Sequence, residues 1–251
     1  MTPEILLLVV GAMVAGFVQG LSGFAFSMVA MSFWVWGIDP RVASVMAVFG
    51  SLTGQIVAAV TARRPLRLPV LAPFLAGGVV GVPIGVLLLP HVNADLFKLA
   101  FGLLLVLWCP AMLFAKDLPR VRGGPLGDGV SGAAGGVLGG IAGFTGVIPT
   151  LWCTLRGFDK DLQRTVIQNF NLAALSVAMA GHLLAGGVTR AMLPMFAVVA
   201  PALLLPVLLG SRLYIGLSEL AFRRTVLILL TASGLAMLVS ALPKFLPKFL
   251  H

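Results

Sequence analysis

The stretch Gly16-Phe17-Val18-Gln19-Gly20-Leu21-Ser22-Gly23-Phe24-Ala25-Phe26-Ser27 lies inside an uncharged run from Ile5 to Ile38, and it limits the fold more than any other feature. As a single helix that run would be about 50 Å long, against a bilayer hydrocarbon core of roughly 30 Å. It must be interrupted. The expected break is Gln19 to Gly23, where two glycines and two polar side chains release helical backbone groups. Lipid offers those groups no partner, so irregular backbone at membrane depth has to be buried in protein or line a cavity.

The rest of the composition agrees with a membrane setting. Of 251 residues, 59% are apolar and 10% charged, which excludes a soluble globular domain and predicts an all-α polytopic membrane protein. The net charge of +9 is spread over short loops between apolar runs. It therefore points to membrane lipid headgroups as partners and not to nucleic acid. Cys109 and Cys153 fall in apolar segments and imply no disulfide framework. Glu4 and the absence of Lys or Arg before the first run speak against a removable signal peptide. No soluble segment exceeds a loop, so no appended catalytic domain is expected.

The apolar segments that follow are Val42 to Ala62, Leu68 to Pro90 and Leu96 to Ala115. A basic, Gly- and Pro-containing stretch, 116–128, then separates an N-terminal repeat, 1–115, from a C-terminal repeat, 129–251. An offset of 120 aligns Gly16, Gly20, Gly23, Phe24, Gly37 and Asp39 with Gly136, Gly140, Gly143, Phe144, Gly157 and Asp159. Gly129 to Leu155 is thus a second glycine-broken run, and Thr165 to Thr189, Ala191 to Ser211 and Thr225 to Pro243 match the later segments of the first half. Toward the end the offset becomes 125, aligning Gly85 with Gly210. Two four-segment units result.

Eight full crossings would divide the basic residues nine against eight, which gives no orientation. If both glycine-broken segments instead enter and leave on one side, the division is twelve against five. The twelve include Arg63, Arg64, Arg67, Arg120, Arg122, Arg156, Lys160 and Arg164; the five are Arg41, Lys98, Arg190, Lys244 and Lys248. Loops this short normally carry such a bias on the cytoplasmic side. The expectation is two inverted repeats, each with one Gly-broken re-entrant hairpin and three crossing helices, in the inner (cytoplasmic) membrane of a bacterial-type cell.

All eight acidic residues are expected in loops or at segment ends, so no carboxylate marks a cation site or proton relay at the membrane centre. That favours an anion held by N–H groups, hydroxyls and amides. The expected lining comes from the two breaks and the segment after each: Gln19, Ser22, Gly23, Phe24, Ser27, Ser51 and Gln55 in the first half, and Gly143, Phe144, Thr145, Gly146, Gln168, Asn169 and Asn171 in the second. Ser51 and Asn171 are equivalent at the 120 offset. His182, the one ionisable residue inside a segment, is the candidate for a coupling proton. No metal or cofactor is implied, and a homodimer is left open. Gly20-Leu21-Ser22-Gly23 also matches the GxSG element of rhomboid proteases, with Ser22 as nucleophile. Its repeat mate Gly140-Ile141-Ala142-Gly143 has alanine at that position.

At these residues the chain resembles the TauE/SafE family of sulfite-exporter-like membrane transporters. The resemblance is carried by Gly16 to Phe24, by Gly37-Ile38-Asp39-Pro40, by Gly136 to Gly146 with Gly157-Phe158-Asp159-Lys160, and by Leu209-Gly210-Ser211-Arg212-Leu213. It implies transport of sulfite, thiosulfate, sulfoacetate, other sulfonates or carboxylates. An anion channel and a Ser22 hydrolase are the alternatives.

Overall fold

The computed structural model describes residues 3–23, 25–62, 65–114, 120–213 and 219–249. Ten α-helices account for nearly all of them: α1 (Pro3–Ser22), α2 (Phe26–Trp34), α3 (Pro40–Ala62), α4 (Leu68–Leu88), α5 (Ala94–Phe114), α6 (Gly124–Ala142), α7 (Val147–Leu155), α8 (Lys160–Leu184), α9 (Leu193–Leu213) and α10 (Glu219–Phe249). No strand occurs among the described residues. Helices α1, α3, α4, α5, α9 and α10 are long and apolar enough to cross a bilayer. The glycines of α6 and the amides of α8 lower the hydropathy of those two helices, which lie largely against other helices.

Both glycine-broken runs are interrupted, though not where the sequence alone places the first break. Helix α1 continues through Gln19, Gly20 and Ser22 and ends at Gly23. Gln19 directs its amide to a neighbouring helix and leaves its own backbone bonded. Gly20 stays helical because it is a packing position. The turn is made by Gly23 at φ 78° and Ala25 at φ 82°, left-handed values that glycine adopts freely and alanine adopts at a cost. In the second run Gly143, at φ 74°, caps α6, and α7 starts after Gly146.

Each short helix folds back along the longer one before it. Trp34 Nε1 donates to the carbonyl of Leu8 at 3.3 Å, with Gly11 giving the indole room. Near the end of α7, Trp152 Nε1 donates to Asp128 Oδ1 at 2.7 Å and rests on Gly123 and Gly127. The Val121 N–H donates to the Leu155 carbonyl at 2.9 Å. Asp128 lies inside α6 and is buried, whereas the sequence pattern places it at a segment end. It is held by Arg156, Nε to Oδ1 3.3 Å. Helix α6 itself begins at Gly124, within the stretch assigned to the linker.

The halves interlock by backbone contact, in a pattern that repeats with the sequence offsets. A Cβ on Gly20 would fall 2.3 Å from the Val207 carbonyl oxygen and 3.0 Å from Gly210 Cα; one on Gly140 would fall 2.3 Å from the Val82 carbonyl oxygen and 2.9 Å from Gly85 Cα. Likewise Gly16 faces Leu203, and Gly136 faces Gly78. Small residues let helices approach this closely in lipid, where packing replaces the hydrophobic effect as the driving force. So α1 lies against α9 and α6 against α4, each glycine-broken run seated on a helix from the other half of the chain. Equivalent Asp turns start the next helices. Asp39 Oδ1 accepts from the Arg41 N–H at 2.9 Å, and Asp159 Oδ1 accepts from Asp161 and Leu162 at 3.0 and 2.9 Å, capping α3 and α8.

Candidate functional site: a hollow between the two helix breaks

The two breaks meet in the interior. Ser27, in the first turn of α2, has its hydroxyl 3.1 Å from the Gly143 carbonyl oxygen, 3.2 Å from that of Ala47 and in contact with Ser51 Oγ. Around this junction lies a small, partly open hollow with a cavity volume of about 20 Å³. Gln19, Ser51 and Gln55 border it from the first half, with Ala25, Phe26, Ser27 and Met28 at the start of α2. From the second half come Gly143, Phe144, Thr145 and Val147 around the start of α7, with Asn171 and Leu175 on α8. Among the described residues, none that lines it is ionisable.

The polar side chains are buried: Gln19 is 3% exposed, Gln55 2% and Asn171 2%. Gln19 Nε2 donates to the Ser51 carbonyl at 3.3 Å and Gln55 Nε2 donates back to the Gly23 carbonyl at 2.9 Å. Residues 19 and 23 are one turn apart on α1, as 51 and 55 are on α3, so the two amides clasp these helices in register. Asn171 sits against Gly146, where an added Cβ would lie 3.0 Å from its Nδ2. Gln19 Oε1, Gln55 Oε1 and Asn171 Oδ1 have no donor among the described residues. Phe144 closes one wall, stacked on Phe101 with ring centroids 5.0 Å apart. Trp108 Nε1 fixes the start of α7 by donating to the Val147 carbonyl at 2.7 Å.

Other residues singled out from the sequence lie elsewhere. Ser22 donates to the Val18 carbonyl at 2.7 Å on its own helix and does not border the hollow. The Gly23 carbonyl is taken by Gln55. Gly146 stands behind Asn171 without reaching the lining. Gln168 is half-buried on α8, and Asn169 bonds to the carbonyls of Thr165 and Pro65 at 3.0 and 3.4 Å. Of three amides in four residues, then, only Asn171 reaches the hollow: steps of 100° along α8 point the three side chains in different directions. His182 is buried in the last turn of α8 and is not part of the lining. Arg156, one of the twelve basic residues counted on one side, is engaged with Asp128. Phe24 lies outside the described residues.

Ala25, Phe26, Met28, Val147 and Leu175 escape a reading that looks for polar side chains. Their signal is positional, since all but Leu175 lie at or just after a glycine break. At the 120 offset several lining positions pair up, Ala25 with Thr145, Ser27 with Val147, Ser51 with Asn171 and Gln55 with Leu175, while the mate of Gln19, Gly139, does not border the hollow. The architecture of the hollow is thus duplicated while its chemistry is not, and most of its polar side chains come from the first repeat.

Comparison with known families bears on this geometry directly. The family described as sulfite exporter TauE/SafE matches residues 8–237. The chain belongs to the TauE/SafE family. It is accordingly a multi-pass membrane protein of a sulfite-exporter-type transporter family, and all ten helices fall wholly or partly within the matched TauE/SafE region. Neither a curated protein nor a solved structure gave a match. Membership in TauE/SafE is consistent with a protein that moves a solute and performs no bond chemistry on it.

Proposed function

We propose that this TauE/SafE protein carries a small sulfur-containing or organic anion, of the class of sulfite, thiosulfate, sulfoacetate, other sulfonates or carboxylates, across a bacterial-type cytoplasmic membrane by alternating access. One observation carries the proposal: the starts of two short helices, α2 and α7, border one hollow together with hydroxyl and amide side chains from both repeats. Helix N-termini carry partial positive charge and unsatisfied N–H groups, and in broken-helix transporters they face the anionic part of the substrate. Asn171 is the side chain best suited to assist. Among the described residues no carbonyl fixes its amide, so a half-turn about χ2 presents its NH₂ group to a solute oxygen.

The inverted arrangement is supported by helix directions. Helix α1 runs parallel to α9, with Gly16 beside Leu203 and Gly20 beside Val207; α6 runs parallel to α4, with Gly136 beside Gly78 and Gly140 beside Val82. Helix α8 also runs parallel to α4, with Phe170 beside Gly78 and Gly181 beside Val86. With α8 and α9 as consecutive crossings, α1 and α6 enter from opposite faces. The fold-back of α2 on α1 and of α7 on α6 supports the hairpins, and hence the twelve-to-five charge bias.

Purified protein in proteoliposomes tests the function. Saturable uptake of labelled sulfite or sulfoacetate, with counterflow from preloaded vesicles, is the expected result. Conductance without counterflow would establish a channel. The hydrolase alternative draws no support from Ser22, whose hydroxyl is directed to Val18.

A further inference from the structure

We propose that Gln19 and Gln55 form part of a sodium-ion site in the same hollow, so that the anion travels with Na⁺. The proposal deepens the carrier reading and rests on it for its purpose, but ion binding can be measured without any anion. Two amides define the site. Because each Nε2 donates to a backbone carbonyl, Gln19 to Ser51 and Gln55 to Gly23, their orientations are pinned. The atoms left over are both oxygens. Gln19 Oε1 and Gln55 Oε1 are buried and have no donor among the described residues, an unfavourable state for two amide acceptors in one small space.

The hydroxyls add acceptors rather than donors. Ser27 has one proton and is within reach of two carbonyls, Ala47 and Gly143. When it donates to either, its contact with Ser51 Oγ is made by the Ser51 proton. The side chains of the first-repeat side therefore bring amide and hydroxyl oxygens to the hollow, beside the second N–H of each amide. Oxygen ligands select a hard cation, and the absence of any carboxylate suits a monovalent ion better than Ca²⁺ or Mg²⁺. Unwound backbone beside helix C-termini provides Na⁺ ligands in broken-helix carriers, and the ends of α1 and α6 occupy that position here. Charge gives an independent reason. An anion in a hollow with no cationic side chain lacks a counter-charge in a low-dielectric setting, and a bound Na⁺ supplies it.

The test is thermal unfolding of purified full-length protein in detergent, in NaCl, KCl or choline chloride at equal concentration and with no sulfur anion present. The expected result is a Tm that rises with Na⁺ and not with K⁺ or choline. Gln19→Met and Gln55→Met should each raise the half-saturating Na⁺ concentration at least about tenfold. Should the methionine variants fail to fold, Ser51→Ala decides the matter: it removes a hydroxyl oxygen while leaving the Ser51 carbonyl for Gln19, and it should also raise the half-saturating Na⁺ concentration, an unchanged value overturning the site. Equal Tm in the three salts would overturn the site, as would an undiminished Na⁺ response in folded Gln19→Met and Gln55→Met. A Tm rise with sulfite in choline chloride, without one from Na⁺, removes the sodium site and keeps the carrier. A Na⁺ response with none to sulfite, sulfoacetate or acetate keeps the site and removes the anion.

Discussion

Ser27 Oγ lies 3.1 Å from the carbonyl oxygen of Gly143, joining the first turn of α2 to the kink that ends α6. It is a contact between the two repeats at the point where each leaves helical geometry. Ser27→Ala removes it and leaves the buried Gly143 carbonyl without this donor. The expected cost is about 1 kcal/mol of stability, read as a lower Tm. Transport should fall by more than that loss accounts for, because the start of α2 is no longer held. Equal transport per folded molecule in Ser27→Ala would count against a role for the junction.

Glycine positions separate close packing from conformational need. Gly140→Ala places a Cβ 2.3 Å from the Val82 carbonyl oxygen, where only backbone can give way, and should cost about 1–3 kcal/mol. Gly23→Ala meets open space but occupies a left-handed φ, and should cost about 1–2 kcal/mol. Gly129→Ala, whose nearest atom would be 3.5 Å away, should be close to neutral. Tm values of the three variants in one detergent check the order.

Arg156 and Asp128 form a partly buried ion pair that clamps the returning end of α7 to α6. Removing the cation with Arg156→Met strands the carboxylate and should cost roughly 3 kcal/mol. Asp128→Asn keeps an oxygen for Trp152 Nε1 and should cost less. A double-mutant cycle gives the coupling, and additive effects would show that the pair contributes nothing.

Asn171 and Asn169 lie two residues apart with different prospects. Asn171→Leu should abolish stabilisation by a transported anion and lower its flux at least about tenfold, the scale of one lost charge-assisted hydrogen bond. Asn169→Leu should leave both within about twofold. Uptake assays on matched amounts of folded protein decide between them.

Side-chain labelling reads the topology. Cys109 and Cys153 are buried and serve as a silent background. Leu66→Cys and Val121→Cys, both at exposed positions, should be blocked by an impermeant maleimide only after the membrane is opened. Trp36→Cys, at the end where Lys98 lies over the Trp36 ring, should label in intact cells. The reverse pattern would refute the orientation taken from the charge bias.

The breaks were legible because glycines recur at matching places, 120 residues apart, in runs too long for one crossing. Two of those glycines later appear as contacts, Gly20 on Val207 and Gly140 on Val82. What the sequence could not convey was direction around a helix axis. Ser22 looks like a lining residue until its hydroxyl is found on Val18, and Gln168 and Asn169 look equivalent to Asn171 until α8 turns them away. Nor does a string of residues reveal that an amide is pinned by a distant carbonyl, as Gln55 is by Gly23. Asp128 likewise resembled a loop residue, because its partners Trp152 and Arg156 come from a helix that folds back.

The seating of α1 on α9 and of α6 on α4 means that the bodies able to move are not the two halves of the polypeptide. Each hairpin is bolted to a rod contributed by the other half, through contacts so close that sliding would force one backbone into another. Any rocking that exposes the hollow to alternate faces must therefore carry α1, α2 and α9 as one block and α4, α6 and α7 as another. Polypeptides cut between α5 and α6 would each lack the groove their own hairpin needs, and would hold their native shape only when made together.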